Sequence, residues 1–426
     1  VTTAEARRTI HALFRLESPR LIAALSRLLR DVGEAEELAQ DALVSALEHW
    51  PETGVPENPA AWLMATAKRR AIDELRRRKL LERKHRELGA GAELEQDLER
   101  ELEQALDSDL GDDLLRLMFT ACHPVLSRDA RVALTLRLLG GLSTDEIARA
   151  FLAAEPTIAQ RIVRAKRTLA EASVPFELPS KHELRARLGS VLEVIYLVFN
   201  EGYSATAGED LMRPALCQDA IRLGRVLCSS LPEQAEAHGL LALMLIQSSR
   251  AAARTTAEGQ PVLLLEQDRS LWDREQIREG LAALAHAVEL AGHAGSYTLQ
   301  AAIAACHARA QAAEDTDWPR IAALYLALSE RAPSPIVELN RAVAVGMAFG
   351  PAHGLRILEV LEDDPTLEHY PLLPAVRGDL LAKLERHAEA SAEFERAAEL
   401  TRNAREREVL LQRAQASRRA KVDVSS

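Results

Sequence analysis

A run of cations crowds the stretch "NPAAWLMATAKRRAIDELRRRK" (58–79), among them Lys68, Arg69, Arg70, Arg76 and Arg77. Their chemistry is electrostatic: ammonium and guanidinium groups donate charge-assisted hydrogen bonds to phosphate or carboxylate oxygens. Arg69 and Arg76, like Arg70 and Arg77, stand seven apart, so on a helix each pair returns to the same face two turns later. Asn58 can cap that helix and Pro59 can begin it. A surface helix this basic is often only solvated, and the stretch alone does not choose between solvent and DNA.

A second basic set lies in "LSTDEIARAFLAAEPTIAQRIVRAKRTL" (142–169). Ser143 with Glu146 has the form of a capping box, and Leu142 can staple onto Ile147, which starts one helix. Pro156 suits the first turn of a second, where its missing N–H would have had no partner. Along that second helix Ile158, Ile162, Ala165 and Leu169 recur at spacings of four, three and four, making one apolar stripe. Gln160, Arg164 and Arg167 point away from it, with Thr157, Arg161 and Lys166 on its flanks. A short corner followed by a helix apolar on one side and basic on the other suits the major groove of DNA, where arginines reach guanine edges or phosphates. In a chain of helical hairpins the same pattern also suits an ordinary solvated face. Upstream, "DVGEAEELAQDALVSALEHW" (31–50) reads as an acidic amphipathic helix suited to a basic protein partner, so two partners of opposite charge are expected.

Bond-making chemistry finds little support. No G-x-x-x-x-G-K-[ST], H-E-x-x-H or G-x-S-x-G occurs, and the expectation is a protein that is not an enzyme and needs no cofactor. Cys122, Cys217, Cys228 and Cys306 fall in no metal-binding spacing and read as buried, reduced thiols, so no metal is expected. His286, His293 and His307 look like helix-surface or packing residues. In "FNEGYSA", the cluster Asn200, Glu201, Gly202 and Tyr203 reads as a structural turn with a polar cap more readily than as a site.

The elements that must hold these residues are helices. Aromatics make up only 4% of the 426 residues while Ala, Leu, Glu and Arg dominate, so the fold class is all-α. The net charge of −11 excludes a uniformly basic coat but not local patches. Apolar runs such as "GLLALMLI" are too short to span a bilayer, and "VTTAEARRTI" lacks the apolar core of a secretory signal; no membrane partner and a cytoplasmic location are expected. The prolines and glycine of "WPETGVPENP" (50–59) predict a loop. The divisions read as a helical module over 1–88, an acidic linker over 89–113, a second helical module over 114–173 and a helical extension over 174–426, beginning at the breaker "VPFELP". Within the extension, Gly378, Ala390, Phe394 and Ala397 match a tetratricopeptide pattern. Leu358 and Tyr325 take the place of Phe394 at steps of 36 and 33 residues, and 250–273 reads as an insertion between two earlier helices.

In order and spacing, these three stretches resemble the extracytoplasmic-function sigma factors of bacterial RNA polymerase, over most of residues 10 to 172. The extension, with "YLVFNEGYSAT" (196–206), resembles the subgroup carrying a tetratricopeptide-like C-terminal addition. The resemblance implies core polymerase and promoter DNA as partners. It assigns Glu37, Gln40 and Asp41 to the polymerase clamp; Lys68, Arg69, Arg70, Asp73, Arg76 and Arg77 to the minus-ten element; and Thr157, Gln160, Arg161, Arg164, Lys166 and Arg167 to the minus-thirty-five element. Trp62 matches a family tryptophan that serves either as core anchor or as stacking platform. Arg69 stands where members often have asparagine, Leu152 where the turn often has glycine, and Ala159 where a basic residue is common. A regulatory contact of the extension with the sigma modules or polymerase is a further expectation; the alternative is a repeat scaffold that binds peptides or a signalling partner.

Overall fold

The computed structural model describes residues 3–86, 110–151, 153–203, 212–256, 260–401 and 403–424. The fold is all-α, with no strand among the described residues. The expected linker lies outside the described residues as far as 109, as does Leu152, whereas 110–113 form the first turn of a helix. Contacts divide the chain into two compact units, Val1–Val198 and Phe199–Ser426. No helix among the described residues is long and apolar enough to cross a membrane.

The first unit opens with α1 (Thr3–Leu29), α2 (Val32–Thr53) and α3 (Pro59–Arg86). Asp31 accepts a hydrogen bond from the Glu34 N–H (3.0 Å) and starts α2. Ala35, Ala39, Ala42 and Ala46 of α2 and Ala67 and Ala71 of α3 are fully buried, and their small side chains let the three helices approach closely. The expected loop at 50–59 is shorter than predicted. Helix α2 runs through Pro51 to Thr53 and stops only at Gly54, whose φ of +85° suits glycine and whose N–H closes on Trp50 O at 2.9 Å. Asn58 then accepts from Ala61 N–H (3.0 Å), capping α3 as its sequence suggests.

Next come α4 (Leu110–Ala121), α5 (Arg128–Leu138), α6 (Thr144–Ala150), α7 (Glu155–Glu171) and α8 (Lys181–Tyr203). The capping box at α6 forms in both directions: Ser143 N–H donates to Glu146 (2.8 Å) and Glu146 N–H to Ser143 Oγ (3.1 Å). Pro156 sits in the first turn of α7, and the buried residues of that helix are Ile158, Ile162, Ala165 and Leu169. The first unit extends beyond the 174–179 breaker. Arg187 of α8 donates to Phe119 O (2.9 Å), Arg131 to Ser190 (2.8 Å), and Arg128 pairs with Glu193 (3.1 Å), so the first part of α8 braces α4 and α5.

The second unit stacks hairpins from α9 (Pro214–Ser230), α10 (Ala235–Ser248), α11 (Arg274–Leu290), α12 (Ser296–Arg309), α13 (Trp318–Arg331) and α14 (Pro335–Phe349) through α15 (Pro351–Leu361), α16 (Leu372–Lys383), α17 (His387–Leu400) and α18 (Ala404–Val424). Tyr325, Leu358 and Phe394 fall on α13, α15 and α17, every second helix. A Cβ at Gly378 would meet the Phe394 ring at 2.8 Å, so glycine sets the α16–α17 spacing. Both ends of α12 are tied by side chains. Glu236 accepts from Tyr297 N–H (2.9 Å) and Thr298 N–H (3.1 Å) at the start, while Arg269 donates to His307 O (2.7 Å) and Ala310 O (2.8 Å) at the end. Arg269 comes from the segment between α10 and α11, which carries three short 3-10 turns.

Candidate nucleic-acid interface

Helix α7 presents the predicted set as expected from its period. Thr157, Gln160, Arg164 and Arg167 are exposed, with Arg161 and Lys166 half-buried on the flanks. Arg164 has no partner among the described residues and reaches solvent. Arg167 is held along its own helix by Glu171 (2.6 Å), and that hydrogen bond raises its pKa above the ordinary arginine range. Arg161 pairs with Asp129 of α5 (3.3 Å), which fixes α7 against the helix beneath it.

Helix α3 carries the other set. Lys68 and Arg69 have no partner among the described residues, Lys68 being half-buried and Arg69 exposed. Arg76 and Arg77 are exposed beside Asp73 (4.0 Å) and Glu74 (3.6 Å) of their own helix. Arg70 instead reaches across to α2, pairing with Asp41 (2.8 Å) and donating to Ser45 Oγ (2.8 Å). Arg78 likewise pairs with Glu34 of α2, which raises its pKa. Trp62 packs edge-on against buried Trp50 at 5.2 Å between centroids and stays half-buried, so one side of its ring anchors and part of the rest meets solvent.

On α2, Glu37 and Asp41 face outward, but Gln40 turns toward Glu36 and donates to its Oε1 at 2.7 Å. Glu36, which sequence reading passed over, is the best-buried carboxylate of the helix, 4% exposed. Arg137 of α5 donates to it at 2.5 Å, and Lys166 of α7 forms an ion pair with its other oxygen. Around this cluster the two halves of the first unit meet. Arg27 lies 3.4 Å from Asp113, Arg116 donates to the same carboxylate at 2.7 Å, and Arg15 approaches Glu146 at 3.7 Å. Burial pushes the Asp113 carboxyl above its usual range, against the pull of the two arginines. Gly141, at φ +65°, lies where a Cβ would stand 2.9 Å from Arg15 O, so only glycine fits the corner against α1. A cavity of about 690 Å3, lined by Arg27, Arg30, Gly33, Arg116, Lys166 and Phe176 among others, opens beside the cluster.

The remaining candidates resolve into packing. Asn200, Glu201, Gly202 and Tyr203 form the last turn of α8. Glu201 pairs with Arg213, the Tyr203 hydroxyl accepts from Arg250 (2.6 Å), and a Cβ at Gly202 would meet Cys217 N at 2.7 Å. All four cysteines are free and buried; burial pushes the Cys122 thiol to about 11 and those of Cys217 and Cys228 to about 12, far from a reactive thiolate. No cluster of three or more metal-type ligands occurs among the described residues. His307 is buried and held neutral, with its pKa lowered to about 4 by desolvation and by Arg250 and Arg269.

A capped corner leading to a cationic helix, and a second cationic helix backed by an acidic one, give the first unit two helical modules that each present cations to solvent. The sequence comparisons agree. A model for sigma-70 region 2 matches residues 13–80, one for sigma-70 region 4 matches 116–169, and a family of unknown function matches 187–288. An uncharacterized protein of Rhizobium meliloti (strain 1021) is 45% identical over 393 residues, covering 91% of each chain. The chain is of one family with that protein, and its first unit carries the region 2 and region 4 domains of sigma-70 factors.

Proposed function

We propose that this protein is a sigma factor of the extracytoplasmic-function type that brings core RNA polymerase to a distinct class of promoters from the cytoplasm. In this reading Glu37, Gln40 and Asp41 meet the polymerase clamp. Lys68, Arg69, Arg70, Arg76 and Arg77 hold opened minus-ten DNA by charge and stacking, and Thr157, Gln160, Arg161, Arg164, Lys166 and Arg167 read upstream duplex. The observation that carries the reading is α7: its four apolar positions are all buried while Gln160, Arg164 and Arg167 stand on the opposite, solvent face. The role is binding, with no bond chemistry asked of any residue.

The second unit is read as a tetratricopeptide-like array that regulates the sigma portion. Its support is the recurrence of Tyr325, Leu358 and Phe394 on alternate helices of stacked hairpins.

The test is reconstitution: core polymerase with and without the purified chain, scored for co-elution and for transcripts from a genomic promoter library. Promoter-dependent transcripts support the function, and a chain that neither co-elutes nor initiates is a helical scaffold instead. Cutting after Val198, which retains the brace that α8 gives α4 and α5, asks what the array contributes; identical transcription under every condition tried removes its regulatory role.

A further inference from the structure

We infer that Arg250, Arg254 and Arg269 of the second unit form a site for a phosphate monoester, with its phosphate on the guanidinium groups and its small body in the cavity beside Tyr203. The inference goes beyond promoter reading and holds whether or not the first unit performs it.

The site is built on two rings. Arg254 lies over the Tyr203 ring, 3.8 Å from its centre, and donates to the Tyr203 carbonyl. Arg269 lies over the Trp272 ring at 4.9 Å. Arg250 stands between them, 5.8 Å from either ring centre, and donates to the Tyr203 hydroxyl at 2.6 Å. The end of α8 and the segment between α10 and α11 thus gather three guanidinium groups around one tyrosine and one tryptophan.

What they lack is a negative charge. Every acceptor that these arginines meet is neutral: the Tyr203 hydroxyl and carbonyl, the carbonyls of His307 and Ala310, and Thr316 Oγ1. Among the described residues no carboxylate lies within ion-pair distance of any of the three. Elsewhere in the same unit carboxylates are at hand, and Arg213, Arg225, Arg341, Arg377 and Arg413 each pair with one. Burial pulls Arg254 and Arg269 below the ordinary arginine value, and the charge of Arg250 adds to both shifts. Like charges held together and away from water oppose folding, so packing alone would favour apolar or paired residues here. A doubly charged anion removes that opposition.

Donors remain for such an anion. Each guanidinium offers several N–H groups, yet Arg250 and Arg254 each make a single hydrogen bond. Arg269 and Trp272 are 6% and 2% exposed, and Nε of the first and Nε1 of the second are buried with no acceptor. An arginine fork suits carboxylate and phosphate oxygens alike; the number of cations selects the phosphate of a monoester, which carries close to two charges at neutral pH.

The rest of the ligand has a place as well. A cavity of about 270 Å3 opens beside Tyr203, walled by Gly202, Met212, Ile221, Leu245 and by Ala251, the residue after Arg250. Drug-sized ligands occupy sites of roughly 300 Å3 upward, so the body is small, on the order of one ring, and the walls ask for it to be apolar.

The experiment titrates the full chain with inorganic phosphate and with phenyl phosphate by calorimetry, in chloride buffer of fixed ionic strength. Phenyl phosphate should bind at one site about tenfold more tightly than inorganic phosphate, through the ring it buries. Arg250→Gln and Arg254→Gln should each weaken both anions about tenfold, the worth of one hydrogen bond to a charged group. Arg341→Gln, which removes an arginine paired with Glu338 elsewhere on the array, should leave both unchanged. Gln218→Trp, at an exposed position on the cavity rim, should remove the advantage of phenyl phosphate and keep phosphate binding; it carries the test if the arginine variants fail to melt cooperatively. Equal binding of both anions by the unsubstituted chain marks an adventitious ion only and overturns the site, as does no binding of either. Binding that Arg250→Gln and Arg254→Gln leave unchanged belongs to other cations of the chain and overturns it too. None of these outcomes touches promoter recognition, which the reconstitution decides separately.

Discussion

Arg70 lies 2.8 Å from Asp41, so the helix assigned to promoter DNA and the helix assigned to polymerase grip one another through a charge pair. Both side chains are about half exposed, which limits the pair to at most about 1 kcal/mol of stability. Losing it should barely move the melting temperature. The two residues should nonetheless differ in function: Arg70→Ala is expected to leave co-elution with core polymerase intact and to lower promoter-dependent transcript about tenfold, the cost of one charged contact of about 1.4 kcal/mol. Asp41→Ala should weaken co-elution itself. Equal effects of both variants on co-elution would show that the pair acts only by bracing the two helices.

Arg164 and Arg167 give a salt-dependent test. Arg164 has no competing partner among the described residues, and Arg167 has only its exposed neighbour Glu171. Alanine at both should weaken binding to upstream duplex and flatten its salt dependence by about 0.9 log units per log unit of salt for each phosphate left without its cation. Measured as anisotropy across a salt series, an unchanged slope places both residues off the phosphate backbone.

What the sequence revealed and what it hid follow from the range of the interactions. The α6–α7 corner was legible because its cap, proline and apolar stripe all lie within 28 residues and act on neighbours in the chain. Helix α3 was legible for the same reason, from Asn58 onward. The end of α2 was misjudged because Pro51 forfeits only one hydrogen bond in a last turn, and Gly54, not proline, supplies the left-handed backbone that stops it. Glu36 was hidden altogether. Within a run of glutamates it reads as surface, and its burial is decided by Arg137, a residue 101 positions away. Arg269 was hidden likewise inside an apparent insertion, although it closes the end of a helix some 38 residues on.

That closure predicts a stability effect confined to the second unit. Arg269 is buried, stacks over the Trp272 ring at 4.9 Å and donates to His307 O, Ala310 O and Thr316 Oγ1. Arg269→Ala strips these acceptors of donors they cannot replace with solvent, at about 3 kcal/mol. Arg269→Lys should recover little, since an ammonium cannot reproduce the planar fork that meets three acceptors. Proteolysis during urea unfolding should show α12 cut earlier in both variants, while the helices α4 to α7 of the first unit are cut as before; an unaltered midpoint would mean water takes over the arginine's bonds.

Protonation of His307 should set the acid sensitivity of the same region. Its folded pKa is about 4 against an ordinary value near 6.5, because burial and the two neighbouring arginines disfavour the imidazolium. Between those values the unfolded chain binds the proton and the folded one does not, so stability is fully present above about pH 6.5 and falls as pH drops toward about 4. From pH 7 to pH 5 the loss is about 2 kcal/mol for this one group. His307→Asn removes the titration, so the variant's midpoint should fall less over the same interval, whatever its absolute stability. Thermal unfolding of both proteins across that pH range measures the difference; parallel pH curves would require that the imidazole takes up its proton over the same pH range in the fold as in the unfolded chain, despite its burial and the charge of Arg250 and Arg269.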